Sequence, residues 1–419
     1  MRVINQLSIA VIDQGIVSIG SFMTIILVVR FMTKQDFGYF TLAYTVLTIA
    51  TGIINALVYE PFSIFAPGKT KNEFAGYWFN SAILTLLLSA LLSVIILIAI
   101  VIMDAANMNI TALWTFAGLS VFVFFSFFQD FLRRSFISQK VYLYALYSDI
   151  VFCIARILGI FFLHLHHCCN GVNVFLVLSF SGFLAILTGI FNPILKNKSS
   201  KEKLSHTWYK HWYYGKWILG ATILYTIKSQ LYPFFIAGML SISESGALIA
   251  SQQISGFLNP LLMGTQNFLK PDAVIKLHKY GSKYFFKWIN KVTLIISLCA
   301  FVICLFCSFW SKQLLHVIYA GKYDDYYIIT IISFISIFAS TIGRQWQMGI
   351  YVLEFPKLIS LFHIITASIS VPLMIFAIKY WGLIGAAINN LLIIITGTLL
   401  SIILFLYAIR RRIKIESMC

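Results

Sequence analysis

The stretch Tyr77-Trp-Phe-Asn-Ser-Ala-Ile-Leu-Thr-Leu-Leu-Leu-Ser-Ala-Leu-Leu-Ser-Val-Ile-Ile-Leu-Ile-Ala-Ile-Val-Ile102 carries no charged side chain. As a helix it outlasts the roughly 20 residues needed to cross a hydrocarbon core of about 30 Å. It is one of twelve such runs, at approximately 9–31, 40–64, 77–102, 112–132, 143–164, 173–194, 216–239, 247–268, 288–310, 326–349, 358–378 and 383–409. Around them the chain is 60% hydrophobic and 11% charged over 419 residues, against about 25% charged in soluble domains. A mean hydropathy of +0.89 leaves no polar surface for the nucleic acid that a net charge of +17 would otherwise suggest. The basic excess therefore belongs to a membrane protein. Four of the seven cysteines, Cys153, Cys299, Cys304 and Cys307, fall in apolar runs, so no extracellular disulfide framework is expected. The opening segment has a single Arg2 and places Asp13 where a signal peptide would be apolar, so it reads as a retained first membrane helix.

Charge asymmetry tests the count of twelve. With the first residue inside, 23 of the 31 Lys and Arg residues fall on the inner side. They are Arg2, Lys69, Lys71, Arg133, Arg134, Lys140, six between Lys196 and Lys216, six between Lys270 and Lys291, Lys357, and Arg410, Arg411, Arg412 and Lys414. The outer side holds Arg30, Lys34, Lys312, Lys322 and Lys379, while Arg156, Lys228 and Arg344 fall within spans. One missed helix would scramble this partition. Both termini are expected to be cytoplasmic, with Trp78, Trp114, Trp217, Trp288, Trp310 and Trp381 near the interfaces.

The longest polar connection separates a six-helix bundle over 1–195 from a second over 216–419, with a cytoplasmic linker at 196–215. The halves look duplicated. Met32-Thr-Lys-Gln-Asp36-Phe-Gly38 is echoed by Leu240-Ser-Ile-Ser-Glu244-Ser-Gly246, each following the first helix of its half. The next helix then ends in Glu60-Pro61 in one half and Lys270-Pro271 in the other. The fold expected is all-α and integral to the membrane, with about twelve transmembrane helices in two six-helix bundles around a central cavity.

Three segments extend this reading. They are Asp13-Gln14-Gly15 in the first helix, Arg30-Phe-Met-Thr-Lys-Gln-Asp36-Phe-Gly38 before the second, and Tyr380-Trp-Gly382-Leu-Ile-Gly385-Ala386-Ala387 opening the last. The chain resembles the Wzx-type polysaccharide repeat-unit flippases of the multidrug/oligosaccharidyl-lipid/polysaccharide (MOP) exporter superfamily. The resemblance implies translocation of undecaprenyl-pyrophosphate-linked O-antigen or capsule units from the inner to the outer leaflet of a bacterial cytoplasmic membrane. It further implies a cationic cavity, ion-gradient coupling, a monomer without cofactors, and work beside a polysaccharide polymerase and a chain-length regulator.

Charges inside a bilayer cost several kcal/mol unless they face protein, a partner or water. Arg156, Lys228 and Arg344 are therefore expected to line a cavity that offsets the pyrophosphate of the lipid-linked sugar; otherwise each would pair with a carboxylate to lock helices together. Arg156 shares a helical face with Asp149 and Cys153, and Pro233 should bend the helix that carries Lys228. Asp13, Glu60 and Asp149 are candidate ion-coupling carboxylates. His164-Leu-His166-His167-Cys168-Cys169 has poor spacing for a metal, and none is expected. Asp324-Asp325 reads as a solvated turn. The basic inner loops suit topology and anionic membrane lipids.

No Gly-x-x-x-x-Gly-Lys-Ser/Thr loop is present, so transport is expected to use a gradient or run downhill rather than use a nucleotide bound by this chain. A multidrug or cation antiporter of the same superfamily would want an acidic cavity, against which the expected excess of buried cations over buried anions argues, and a lipid II flippase is a nearer rival. A membrane polysaccharide polymerase would want a large outer loop that is missing here, so an enzyme is not expected. The topology makes a direct prediction. In intact cells an impermeant maleimide should label Cys168 or Cys169, whereas Cys419 should react only after permeabilisation; the reverse pattern would invert the assignment.

Overall fold

The computed structural model of the chain describes residues 2–67, 69–139, 141–190 and 203–416. Among them every regular element is helical. Two compact units divide the chain, Met1–Thr226 and Ile227–Cys419. The first holds α1 (Arg2–Phe31), α2 (Lys34–Ile54), α3 (Glu60–Phe65), α4 (Lys71–Ala105), α5 (Ile110–Ser138), α6 (Tyr142–Leu165), α7 (Gly171–Ile190) and most of α8 (Leu204–Gln230). The second holds α9 (Tyr232–Met239), α10 (Ile242–Gly256), α11 (Asn259–Phe309), α12 (Ser311–Tyr319), α13 (Tyr327–Val352) and α14 (Pro356–Glu416).

Nine helices among the described residues are long and apolar enough to cross a membrane. The last of them bends at Gly382 into two such segments, and the broken pairs α8–α9 and α10–α11 complete the expected twelve. The duplicated motif has a structural meaning. Thr33 accepts the Asp36 amide at 3.1 Å to start α2, and Ser241 accepts the Glu244 amide at 3.2 Å to start α10. Each extended cap residue satisfies one of the orphan amides of a helix start, with an acid in the first turn to complement the dipole.

Several boundaries shift from those read in the sequence. Pro233 does bend its helix, through a break at Leu231. Pro271 does not end one: α11 runs through it and breaks at Gly281, whose φ of +74° combined with ψ of 174° suits a residue without Cβ. Gly382, at φ +56°, does the same in α14, inside the Tyr380-Trp-Gly382 segment. The connection read over 196–215 is helical from Leu204 onward, its earlier part lying outside the described residues.

The reason that segment is helical lies in the first unit. A π-turn at Asn55–Tyr59 joins α2 to α3, and the Leu57 carbonyl within it accepts from His211 Nδ1 on α8 at 3.1 Å. A carbonyl can only accept, so Nδ1 carries the proton, and in the neutral ring Nε2 takes the Tyr77 hydroxyl at 2.8 Å. Asn80 donates to Thr207 one turn away at 3.0 Å, and Thr207 and His211 are fully buried. Gly215 completes the joint, since a Cβ there would stand 2.5 Å from the Ala56 carbonyl oxygen, a backbone atom with nowhere to move. Gly215→Ala should therefore cost about 1–3 kcal/mol by overpacking. A lowered Tm in detergent checks this, with Gly220→Ala, which opens onto free space, as the unchanged control.

Candidate functional site

Three helices of the first unit bring charge together inside the membrane-spanning region. Gln129 and Arg133 sit one turn apart on α5, Asp149 and Arg156 lie on one face of α6, and Asp13 projects from α1. Arg133 donates from Nη2 to Asp13 Oδ2 at 2.7 Å and from Nε to Asp149 Oδ2 at 2.5 Å. Gln129 Nε2 reaches the other Asp149 oxygen at 3.2 Å. Both carboxylates are 4% exposed, so the guanidinium supplies in protein what water would supply outside. Asp13 Oδ1 keeps no hydrogen-bond partner among the described residues.

Beside this bridge lies a cavity of about 240 Å³, walled by Thr24, Tyr44, Gln129, Asp130, Arg133, Asp149, Phe152 and Arg156 among others. Arg156 is 7% exposed, with its Cζ 4.7 Å from the centre of the Phe152 ring. Among the described residues its Nε finds no hydrogen-bond partner and no carboxylate forms an ion pair with it. Gly20 makes room for it: a Cβ there would fall 2.5 Å from Arg156 Nη2 and 2.4 Å from Cys153 Sγ. Next to the cavity, Arg134 lies over the Tyr59 ring at 4.7 Å, and the Tyr59 hydroxyl donates to the Phe127 carbonyl at 2.6 Å.

Of the expected site residues, Asp13, Asp149 and Arg156 gather here. Glu60 is half-buried in the first turn of α3 and does not line this cavity. Arg344 belongs to the second unit, where its Nη2 donates to Asn259 Oδ1 at 2.9 Å and its carbonyl accepts from Gln266 at 3.3 Å. Lys228 lies in α8, with its side chain outside the described residues.

Two corrections follow. Arg133 is not a loop cation, because α5 continues to Ser138 and turns it inward. Asp130, within the 112–132 span, is a further carboxylate at the cavity wall. At the cavity wall Asp130 and Asp149 match Arg133 and Arg156 in formal charge, so the expected excess of buried cations over buried anions is not found there. The i, i+3 spacing of Asp130 and Arg133 was the available signal.

No protein family matches the chain, and no curated protein matches its sequence. Solved structures do. An inward-facing multidrug resistance MATE family transporter of the MOP superfamily superposes with a TM-score of 0.65 over 98% of this chain and 95% of that one, at 12% identity. The chain has the fold of the MATE transporters. A eukaryotic MATE transporter matches at TM-score 0.61 over 98% of both chains, and one from Vibrio cholerae at 0.60 over 95% of this chain and 94% of that one, each at 12% identity. The MATE-type fold establishes a multi-pass, all-helical membrane architecture in two bundles.

Removing the bridge leaves two buried carboxylates facing each other, a loss of about 3–5 kcal/mol for a buried ion pair. Arg133→Ala should lower the yield and Tm of folded protein in detergent. Adding Asp13→Asn and Asp149→Asn should restore much of both; a triple variant no better than Arg133→Ala would show that charge compensation is not what Arg133 provides.

Proposed function

We propose that this chain is a gradient-driven exporter of the MOP type whose cargo is an anionic, lipid-linked oligosaccharide, carried from the inner to the outer leaflet by alternating access. Arg156 carries the reading. A buried guanidinium with an unpartnered Nε at a cavity wall is poised to receive an acceptor oxygen, and a diphosphate supplies several. The resemblance to Wzx-type flippases points to the same cargo. Asp13 and Asp149, held by one arginine, are the proposed ion-coupling pair, because protonating either carboxylate changes the charge that Arg133 must balance. Glu60 and Arg344 are kept as secondary candidates, one for coupling and one for cargo. No chemical transformation is proposed.

A second reading, a multidrug antiporter, is favoured by the transporters that share the fold, one of them a multidrug resistance protein, and by the two carboxylates at the cavity wall. A cationic drug would find Asp130 and Asp149 there.

Leaflet-resolved labelling of lipid-linked sugar separates the two. Loss of the protein should trap labelled sugar on the inner leaflet. At normal protein levels Arg156→Ala should slow translocation by roughly 10-fold or more, the value of a charge-assisted hydrogen bond, while Arg156→Lys keeps part of the rate. Unchanged sugar distribution together with cationic-dye efflux that needs Asp149 would instead establish the antiporter.

A further inference from the structure

Between Lys270 and Lys291, α11 carries lysines at 270, 276, 279, 283, 287 and 291. Ala273 and Leu277 before the break at Gly281, and Phe285 and Ile289 after it, pack into the core of the second unit with Leu404, Phe405, Ala408 and Ile409 of α14. The other side is left outward: Ile275 is 60% exposed, Tyr280 52% and Tyr284 45%, interleaved with exposed Lys279, Lys283 and Lys287. The two tyrosine rings stand 4.8 Å apart, and Lys279 lies over Tyr280 at 5.3 Å. Nearby carboxylates are already engaged. Asp272 pairs with Lys276 at 3.1 Å, and among the described residues none forms an ion pair with Lys279, Lys283 or Lys287.

A second basic segment is held against the first. Where α11 breaks at Gly281, the Ser282 amide donates to Glu416 Oε2 at 3.2 Å and its hydroxyl to Oε1 at 2.6 Å, across 134 residues of sequence. Arg412 lies 3.7 Å from Glu416 and 3.9 Å from Glu354, so the end of α14 is clasped at the bend. That clasp carries Arg410 and Arg411, both exposed, to the same end of the unit as the lysines.

We propose that this end of the second unit is a binding surface for anionic phospholipid headgroups, assembled by Glu416 from two basic segments distant in sequence. Isoleucine and tyrosine side chains suit the boundary between headgroups and acyl chains, and the ammonium and guanidinium groups beside them match lipid phosphates. Charge complementarity selects anionic over zwitterionic lipid, because three lysines near such a surface favour it by on the order of 100-fold. The surface belongs to the second unit and the Arg156 cavity to the first, and the existence of the one does not depend on what the other carries.

The test uses full-length protein in detergent with equal phosphatidylglycerol and phosphatidylcholine, reading retained lipid by native mass spectrometry. The wild type should retain phosphatidylglycerol in preference, less so as salt rises from 50 to 500 mM, about the range over which exposed charges become screened. Lys279→Gln, Lys283→Gln and Lys287→Gln combined should cut the ratio at least ~10-fold, whereas the matching arginine variant keeps it. Glu416→Ala should lower the ratio without removing a cation. An unchanged ratio in the glutamine variant, or no salt dependence in the wild type, overturns the proposal. Loss of bound phosphatidylglycerol to millimolar pyrophosphate would make this a free-anion site and overturn it equally. An unchanged ratio in Glu416→Ala overturns the clasp.

Discussion

A charge that cannot reach water must be answered by another charge, and in the first unit Arg133 answers two. Its guanidinium lies between Asp13 of α1 and Asp149 of α6, so three helices from separate parts of the sequence are tied at one point. Dispersion packing between membrane helices lacks the hydrophobic drive available in water, which gives such a bridge more weight in setting how they stand together. The cavity wall follows from it. Gln129 and Asp149 are turned to that wall by the same bonds, and Arg156, on the same face of α6 as Asp149, is left facing the space without a carboxylate.

Breaks in the helices do a second kind of work. A continuous membrane helix satisfies its own backbone, so an open carbonyl within the bilayer needs a partner. The π-turn between α2 and α3 has one in His211, whose ring then orients Tyr77 and fastens α8 to the first unit. In the second unit the break before Asn259 places its side-chain oxygen against Arg344, so a cation within a helix is answered by a polar group exposed at a helix end. The bends at Gly281 and Gly382 need only backbone freedom, and the first is held by Glu416.

The two units start α2 and α10 in the same way. Thr33 and Ser241 cap corresponding helices through the same bond, although the motifs around them share little beyond an acid and a glycine. A cap is a local requirement met by several residue types, so it persists in pattern rather than in identity. The breaks later in those helices fall at different places, at Asn55–Tyr59 in one half and just before Asn259 in the other.

Whether a segment enters a membrane depends on the summed transfer of some twenty neighbouring side chains, and whether a helix starts or bends depends on a few adjacent ones. Both are local sums. The membrane class, the all-helical two-bundle fold and the bend at Pro233 were therefore legible from residues alone. Arg133 was not, because next to Arg134 at the end of an apolar run it looks like any inner-loop cation, and its partners stand 120 and 16 residues away. Nor was the place of Arg156 at the cavity wall, which follows from where Phe152, Gly20 and the Arg133 bridge leave room. Ion pairing between helices is a property of distances of a few ångströms that no window of sequence contains, so the sequence by itself determined that this chain spans a membrane with charges in it, and only the tertiary structure decided which of the described charges are spent on each other.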